Sequence, residues 1–125
     1  MILDTSVWVE LFEDTEKGDY VAEALRKGNC FTSIVTVAET ADWCAKKGLQ
    51  SKLNDYVEMI KTGSQLLGLD ESISRMAGEL NRERKKAGKK WGMMDSMIVA
   101  TAQVYGLKIL TKYNGFRDLP EAQML

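Results

Sequence analysis

The chain of 125 residues contains no histidine. That absence excludes Ser-His-Asp and Cys-His triads, imidazole general bases and most zinc sites. Cysteine occurs twice, at Cys30 and Cys44. Their spacing fits no metal pattern, and two cysteines make no disulfide framework. Both sit among apolar residues, which predicts buried, reduced thiols and a cytoplasmic setting. Proline occurs once, at Pro120, and there is no linker, repeat or low-complexity run. One domain over residues 1–125 is the expectation. Net charge is −1, from 17 basic and 18 acidic residues. Any contact with nucleic acid therefore has to come from a local patch and not from overall charge. The longest apolar stretch, Gly92 to Gly106, carries Asp95 and Gln103 and is too short to cross a bilayer. Asp4 interrupts any apolar leader near the start.

What is present is the composition of an ordinary globular domain, with 45% hydrophobic and 28% charged residues. Helical spacing predicts helices over 7–12, 19–27, 37–47, 49–61, 71–86 and 95–105, several stopped by glycine. Short β-branched or apolar runs predict strands at 2–3, 30–35, 65–69, 108–111 and 122–125. Strands alternate with helices. The expected fold class is therefore α/β, a three-layer α/β/α arrangement with a mostly parallel sheet of four to five strands. In such sheets ligands bind beyond the C-terminal ends of the strands, near the point where strand order reverses. The acids that follow strands are thus the ones to weigh.

Three acids stand where periodicity favours an apolar or neutral residue. Asp4 follows the first strand, Glu39 lies early in the helix after the second, and Asp95 opens the most apolar helix. Each has a structural role available. Asp4 suits an N-cap. Glu39 completes a capping box with Thr36, in the run T-V-A-E. Asp95 complements a helix N-terminus. Together they ask for more. Asp95 shares a face with Ile98, Val99 and Ala102, so its carboxylate points inward and needs a partner. Three carboxylates converging at one sheet edge would repel by about 4 kcal/mol per pair at ~4 Å and an effective dielectric constant of ~20. Either some are protonated or a cation sits among them. Oxygen ligands without His or Cys select Mg²⁺ or Mn²⁺, and such a site suits phosphodiester hydrolysis. Thr5, Ser6 and Thr111 would supply supporting hydroxyls.

The runs ILDTS, TVAET, MMDSMIVATA and LKILTKYNGF, in this order, resemble a PIN domain over nearly the whole chain, and the layout is similar to VapC-type toxin ribonucleases. The resemblance implies a Mg²⁺- or Mn²⁺-dependent endoribonuclease acting on RNA, a cognate antitoxin and a homodimer. It carries Asp4, Glu39 and Asp95 over as the acidic triad, with Ser6 and Thr111 in support. One departure stands out. Where the family offers a fourth acid or asparagine, two residues after Thr111, this chain has Tyr113. Asn114, Asp118 and, one turn after Glu39, Asp42 are the nearest substitutes.

Arg82, Arg84, Lys85, Lys86, Lys89 and Lys90 form a basic strip just before Asp95. It reads either as a solvated helix end or as a rim that contacts RNA phosphates. Trp91 suits a base stack or a core position, Met93, Met94 and Met97 read as core filler, and Trp8, Phe12 and Trp43 suit either a core or a partner groove. Two further functions compete. A haloacid-dehalogenase-like phosphotransferase also carries Asp after its first strand, but its chemistry wants a second Asp where Ser6 stands. A non-catalytic PIN-like module that binds RNA or protein would explain the missing fourth acid.

Overall fold

Adjacent residues of a strand face opposite sides of a sheet, so even a two-residue strand can serve two cores. Ile2 and Leu3 do this. In the computed structural model, which describes residues 1–125, Ile2 packs with Trp91, Ile98, Val99, Ile109 and Phe116 on one side. Leu3 packs with Val7, Trp8, Val21, Ile60 and Leu110 on the other. The strands are β1 (Ile2–Leu3), β2 (Phe31–Ser33), β3 (Gln65–Leu67), β4 (Ile109–Thr111) and β5 (Ala122–Met124). They form one parallel sheet in the order β3-β2-β1-β4-β5. The helices are α1 (Thr5–Phe12), α2 (Glu16–Lys27), α3 (Val35–Lys47), α4 (Leu53–Gly63), α5 (Glu71–Lys86) and α6 (Met93–Tyr105). The expected α/β/α layering is present, with all five strands parallel. No helix is long and apolar enough to cross a membrane.

Several boundaries differ from expectation for local reasons. The second helix starts at Glu16, because Thr15 Oγ1 accepts the Gly18 N–H at 3.1 Å and caps it. The second strand ends at Ser33, whose Oγ accepts the Val35 N–H and starts α3 two residues early. A 3-10 turn over Gln50–Lys52 precedes α4. Asp70 caps α5 as its sequence suggests, accepting from the Ile73 N–H at 2.8 Å. Both cysteines are buried, and burial pushes each thiol's pKa up. Trp8, fully buried, donates its indole N–H to Thr32, which is bonded in turn to Ser64.

The strand order places the functional edge. From β1 the chain builds outward through β2 and β3 on one side and through β4 and β5 on the other. The crevice between diverging connections therefore opens beyond β1 and β4. Asp4 and Thr111 stand there.

The α1–α2 corner is close-packed backbone to backbone. A Cβ added to Gly18 would lie 2.6 Å from the Glu10 carbonyl oxygen and 3.2 Å from Leu11 Cα, whereas one on Gly78 in α5 meets nothing within 4 Å. Gly18→Ala is expected to destabilise by about 1–3 kcal/mol through overpacking, while Gly78→Ala is neutral or stabilising by up to about 1 kcal/mol. Chemical denaturation of the two variants checks the contrast; equal midpoints would refute it.

Candidate active site

Asp4 sits at the N-cap of α1, yet its side chain caps nothing. Its backbone carbonyl starts the helix, accepting from Val7 and Trp8. Its carboxylate, 5% exposed, accepts two hydroxyls on one oxygen. Ser6 Oγ and Thr111 Oγ1 each donate to Oδ2 at 2.8 Å. Those hydroxyls are themselves held by the backbone after β4. The Lys112 N–H donates to Ser6 Oγ at 3.0 Å and the Tyr113 N–H to Thr111 Oγ1 at 2.9 Å. The loop after β4 thus aims both hydroxyls at Asp4.

Glu39 does not form the expected capping box. The helix begins at Val35, so Thr36 is already inside its first turn. Thr5 takes over instead. Its Oγ1 donates to Glu39 Oε1 at 2.7 Å. Having only one proton, Thr5 then accepts from Thr36 Oγ1 at 2.9 Å. Asp95 does cap. Its Oδ2 accepts the Gly92 N–H at 3.0 Å, at the N3 position of α6.

The three acids share a pattern: one carboxylate oxygen is anchored by side-chain hydroxyls or a backbone N–H, with the Thr5 and Ser6 backbone N–H groups also favouring the charge of Asp4, and the other oxygen receives no side-chain donor. All three line a pocket of about 590 Å³ with Thr5, Ser6, Val9, Ala38, Asp42, Trp43, Lys46, Met94 and Tyr113. None of the protein's ion pairs includes Asp4, Glu39 or Asp95. Burial, first of all, raises the pKa of each. The charge of Asp4 pushes Glu39 and Asp95 up further, and Asp95 and Asp42 also act on Glu39. The hydroxyls of Ser6, Thr111 and Thr5 and the Gly92 N–H pull the other way. The acids ring the pocket rather than closing on one point, and no three form a ready metal cage. Their chemistry nevertheless fits a hard divalent cation: three carboxylates, each with a free oxygen, and no protein cation to neutralise them. A larger groove, of about 670 Å³, lies at the N-terminal side of β1 and β2. Its one acid, Glu23, is paired with Arg26.

The remaining predicted residues separate. Asp42 reaches the pocket rim but pairs with Lys46 at 3.1 Å. Asn114 turns away and accepts from Arg117 at 3.0 Å. Tyr113 lines the pocket and donates its hydroxyl to the Lys90 carbonyl at 2.7 Å. In the basic strip Arg82, Lys85, Lys86, Lys89 and Lys90 are exposed. Arg84 is buried and departs from the expectation of an RNA contact. It holds both oxygens of Asp118 at 2.7 and 2.8 Å and the Gly115 carbonyl at 2.7 Å, and it lies 4.5 Å from the Trp91 ring centroid. Trp91 is core, packed on Phe116. Met93 and Met94, expected as core filler, are 43% and 42% exposed. Sequence reasoning placed Thr36 beside Glu39, in a different role, and missed Trp43 and Lys46 as neighbours of the acids. Helical spacing from Glu39 (i−3, i+4, i+7) carried that signal.

The electrostatics fix a sign. Raised carboxyls hold protons in the folded state that the unfolded chain has released. Stability of the metal-free protein from this source falls as pH rises through their raised values. Asp118, held well below the usual carboxylate range by Arg84, and Glu10, lowered by its bond to Lys112, act oppositely and lose stability as pH falls through theirs. In EDTA at neutral pH, Asp4→Asn is therefore expected to melt a few degrees above wild type, and acidification to shrink the gap. Arg84→Met should cost about 2–3 kcal/mol. This lies between an exposed and a fully buried pair, because the Asp118 side chain is 46% exposed. Calorimetry against pH checks both; an Asp4→Asn protein less stable than wild type at neutral pH would contradict the first.

The model of the PIN domain family matches residues 1–122. No curated protein matches the chain in sequence. Among solved structures it is similar to a DNA-bound VapBC from Salmonella typhimurium, at 20% identity and a TM-score of 0.78 over 99% of this chain and 95% of that one. It is similar to VapBC2 from Rickettsia felis bound to a promoter DNA fragment, at 15% identity and a TM-score of 0.77 over 99% and 96%. It is also similar to a toxin–antitoxin complex from Klebsiella pneumoniae, at 20% identity and a TM-score of 0.73 over 98% and 94%. At these identities the likeness is one of fold. The family model, spanning all but the last three residues, decides the matter: the chain belongs to the PIN domain family.

Proposed function

We propose that the acid pocket is a divalent-cation-dependent endoribonuclease site, and that the protein is a VapC-type toxin held in check by a cognate antitoxin, acting as a homodimer. The observation that carries this reading is the buried Asp4 carboxylate. One of its oxygens takes two hydroxyls, and Glu39 and Asp95 line the same pocket, none of the three acids in an ion pair. A site that only stabilised the fold would neutralise such a cluster. This one leaves its three acids without an ion pair and open to the pocket.

Asp4, Asp95 and Glu39 would hold Mg²⁺ or Mn²⁺ through their free oxygens. When bound, such a cation supplies Lewis-acid stabilisation of the charge that develops on a phosphoryl oxygen during hydrolysis. The protein's own part is positional. Ser6 and Thr111 fix the Asp4 carboxylate plane, and Thr5 fixes Glu39. With Asp4 and Asp95 holding the cation, the free oxygen of Glu39, whose pKa is raised by burial, would instead suit taking a proton from an attacking water. Exposed lysines of the strip end at Lys90, whose carbonyl is bonded to Tyr113 at the pocket wall. They offer a phosphate track towards the acids. The toxin–antitoxin complexes of similar fold support an antitoxin as partner. The phosphotransferase alternative is weaker, because the residue two after Asp4 is Ser6, and its hydroxyl is bonded to Asp4.

Purified protein incubated with structured RNAs should cut in Mg²⁺ or Mn²⁺ and not in EDTA. Asp4→Asn and Asp95→Asn are each expected to lose more than about 100-fold in cleavage rate. Ser6→Ala, which only frees the Asp4 carboxylate to turn, should weaken cation affinity by about 10–100-fold with the fold intact. Cleavage that persists in EDTA, or that survives both aspartate substitutions, would sink the reading.

A further inference from the structure

Lys46 is the one cationic side chain among the residues lining the acid pocket. It stands on α3 with Glu39, Asp42 and Trp43 at i−7, i−4 and i−3, on one face. At a rise of about 1.5 Å per residue it lies about 10 Å along the helix axis from Glu39. That is too far to serve as the counter-ion of Glu39. Its only partner is Asp42, in a surface pair whose side chains are 74% and 67% exposed. Such a pair is weak and gives way to a better ligand.

Trp43 beside it is half-buried. One side packs on Phe12 and Tyr56, with ring centroids 6.2 and 6.1 Å away. The rest lines the pocket. The ring is thus held in place without being enclosed. A rigid aromatic next to a loosely paired ammonium, outboard of a cluster of acids, has the chemistry of a single-stranded nucleic-acid contact. Charge selects the route. The pocket floor is acidic and repels phosphate wherever no cation intervenes, and among its lining residues only Lys46, on the α3 bank, offers a positive charge.

We propose that Trp43 and Lys46 form a nucleotide subsite on the α3 bank: single-stranded RNA lays an unpaired base on Trp43 and a phosphate beyond the scissile one on Lys46. The proposal rests on reading the pocket as a site that acts on RNA.

The test is binding of a short, unstructured fluorescent oligoribonucleotide, on an Asp95→Asn background so that the strand stays intact. Lys46→Ala is expected to weaken binding by about 3–10-fold at low salt and to reduce the slope of log K against log salt by about 0.7, the value for one phosphate contact on a single strand. The double variant Asp42→Asn, Lys46→Ala keeps the local net charge, so a loss that persists there belongs to the ammonium itself. Trp8 and Trp91 are only 0% and 8% exposed, so quenching of tryptophan emission by RNA reports Trp43. It is expected to appear with RNA and to vanish in Trp43→Phe. An unchanged salt slope in Lys46→Ala, or quenching that survives Trp43→Phe, overturns the subsite. If wild-type protein cuts RNA and both variants bind like their parent, only the subsite falls. If wild-type protein neither binds nor cuts RNA, the nuclease reading falls with it.

Discussion

The structure depends on how one carboxylate oxygen is held. Asp4 Oδ2 receives Ser6 from its own helix and Thr111 from 107 residues away. These two hydrogen bonds join the first strand to the fourth, at the point where the strand order reverses. The backbone repeats the link, since the Asp4 N–H donates to the Leu110 carbonyl. A strand of two residues has little ladder of its own. Its position comes from flanking strands on both sides and from opposite-facing side chains in two cores. The carboxylate is thus held by the most central part of the fold, which is why it can be nearly buried and still be aimed.

That aim has a thermodynamic cost. Each acid spends one oxygen on the protein and leaves one unpaired, in a setting where burial disfavours its charge. Hydroxyl donors reduce the penalty without removing it, because a neutral donor does not cancel a full charge. Clusters of this kind, with pKa values pushed up together, mark sites arranged for a ligand more often than sites arranged for stability. The contrast lies within the same molecule. Glu10 is also buried, yet it is paired with Lys112 and bonded to Thr15, and its pKa goes down. Asp118 is likewise satisfied by Arg84. The fold pairs the buried Glu10 with a cation and leaves the three acids of the pocket without one.

Much of this was legible in the sequence because it follows from periodicity. The alternation of strands and helices, the glycines closing α3 and α6, and the inward face of Asp95 all come from local spacing. What was not legible depends on the neighbours that a side chain meets. Glu39 and Thr36 have the spacing of a capping box, but the helix begins before Thr36, and Thr5 from another element claims Glu39. Arg84 reads as one more cation in a basic strip. Only the fold brings Asp118, Gly115 and Trp91 around it, and a guanidinium can satisfy a carboxylate, a carbonyl and an aromatic face together. Met93 and Met94 read as core by composition and are exposed in the first turn of α6, Met94 at the wall of the acid pocket.

Arg84 also bears on how the basic strip and the acid pocket act together. It ties α5 to the loop after β4 through Gly115 and Asp118, and the same loop carries Lys112 and Tyr113, whose backbone N–H groups orient the hydroxyls on Asp4. Tyr113 then returns to the strip through the Lys90 carbonyl. The loop is therefore pinned at both ends by the segment that holds the exposed lysines. Its stiffness is what keeps Ser6 and Thr111 in register with Asp4. The tyrosine that stands in place of a further acid closes this brace. Its ring lies so close over Gly115 that a Cβ there would come within 2.4 Å of it. An acid at position 113 would add a ligand to the pocket and remove the strut that spans it. In this chain the wall of the pocket is built for rigidity, with Tyr113 bracing the loop that aims Ser6 and Thr111 at Asp4.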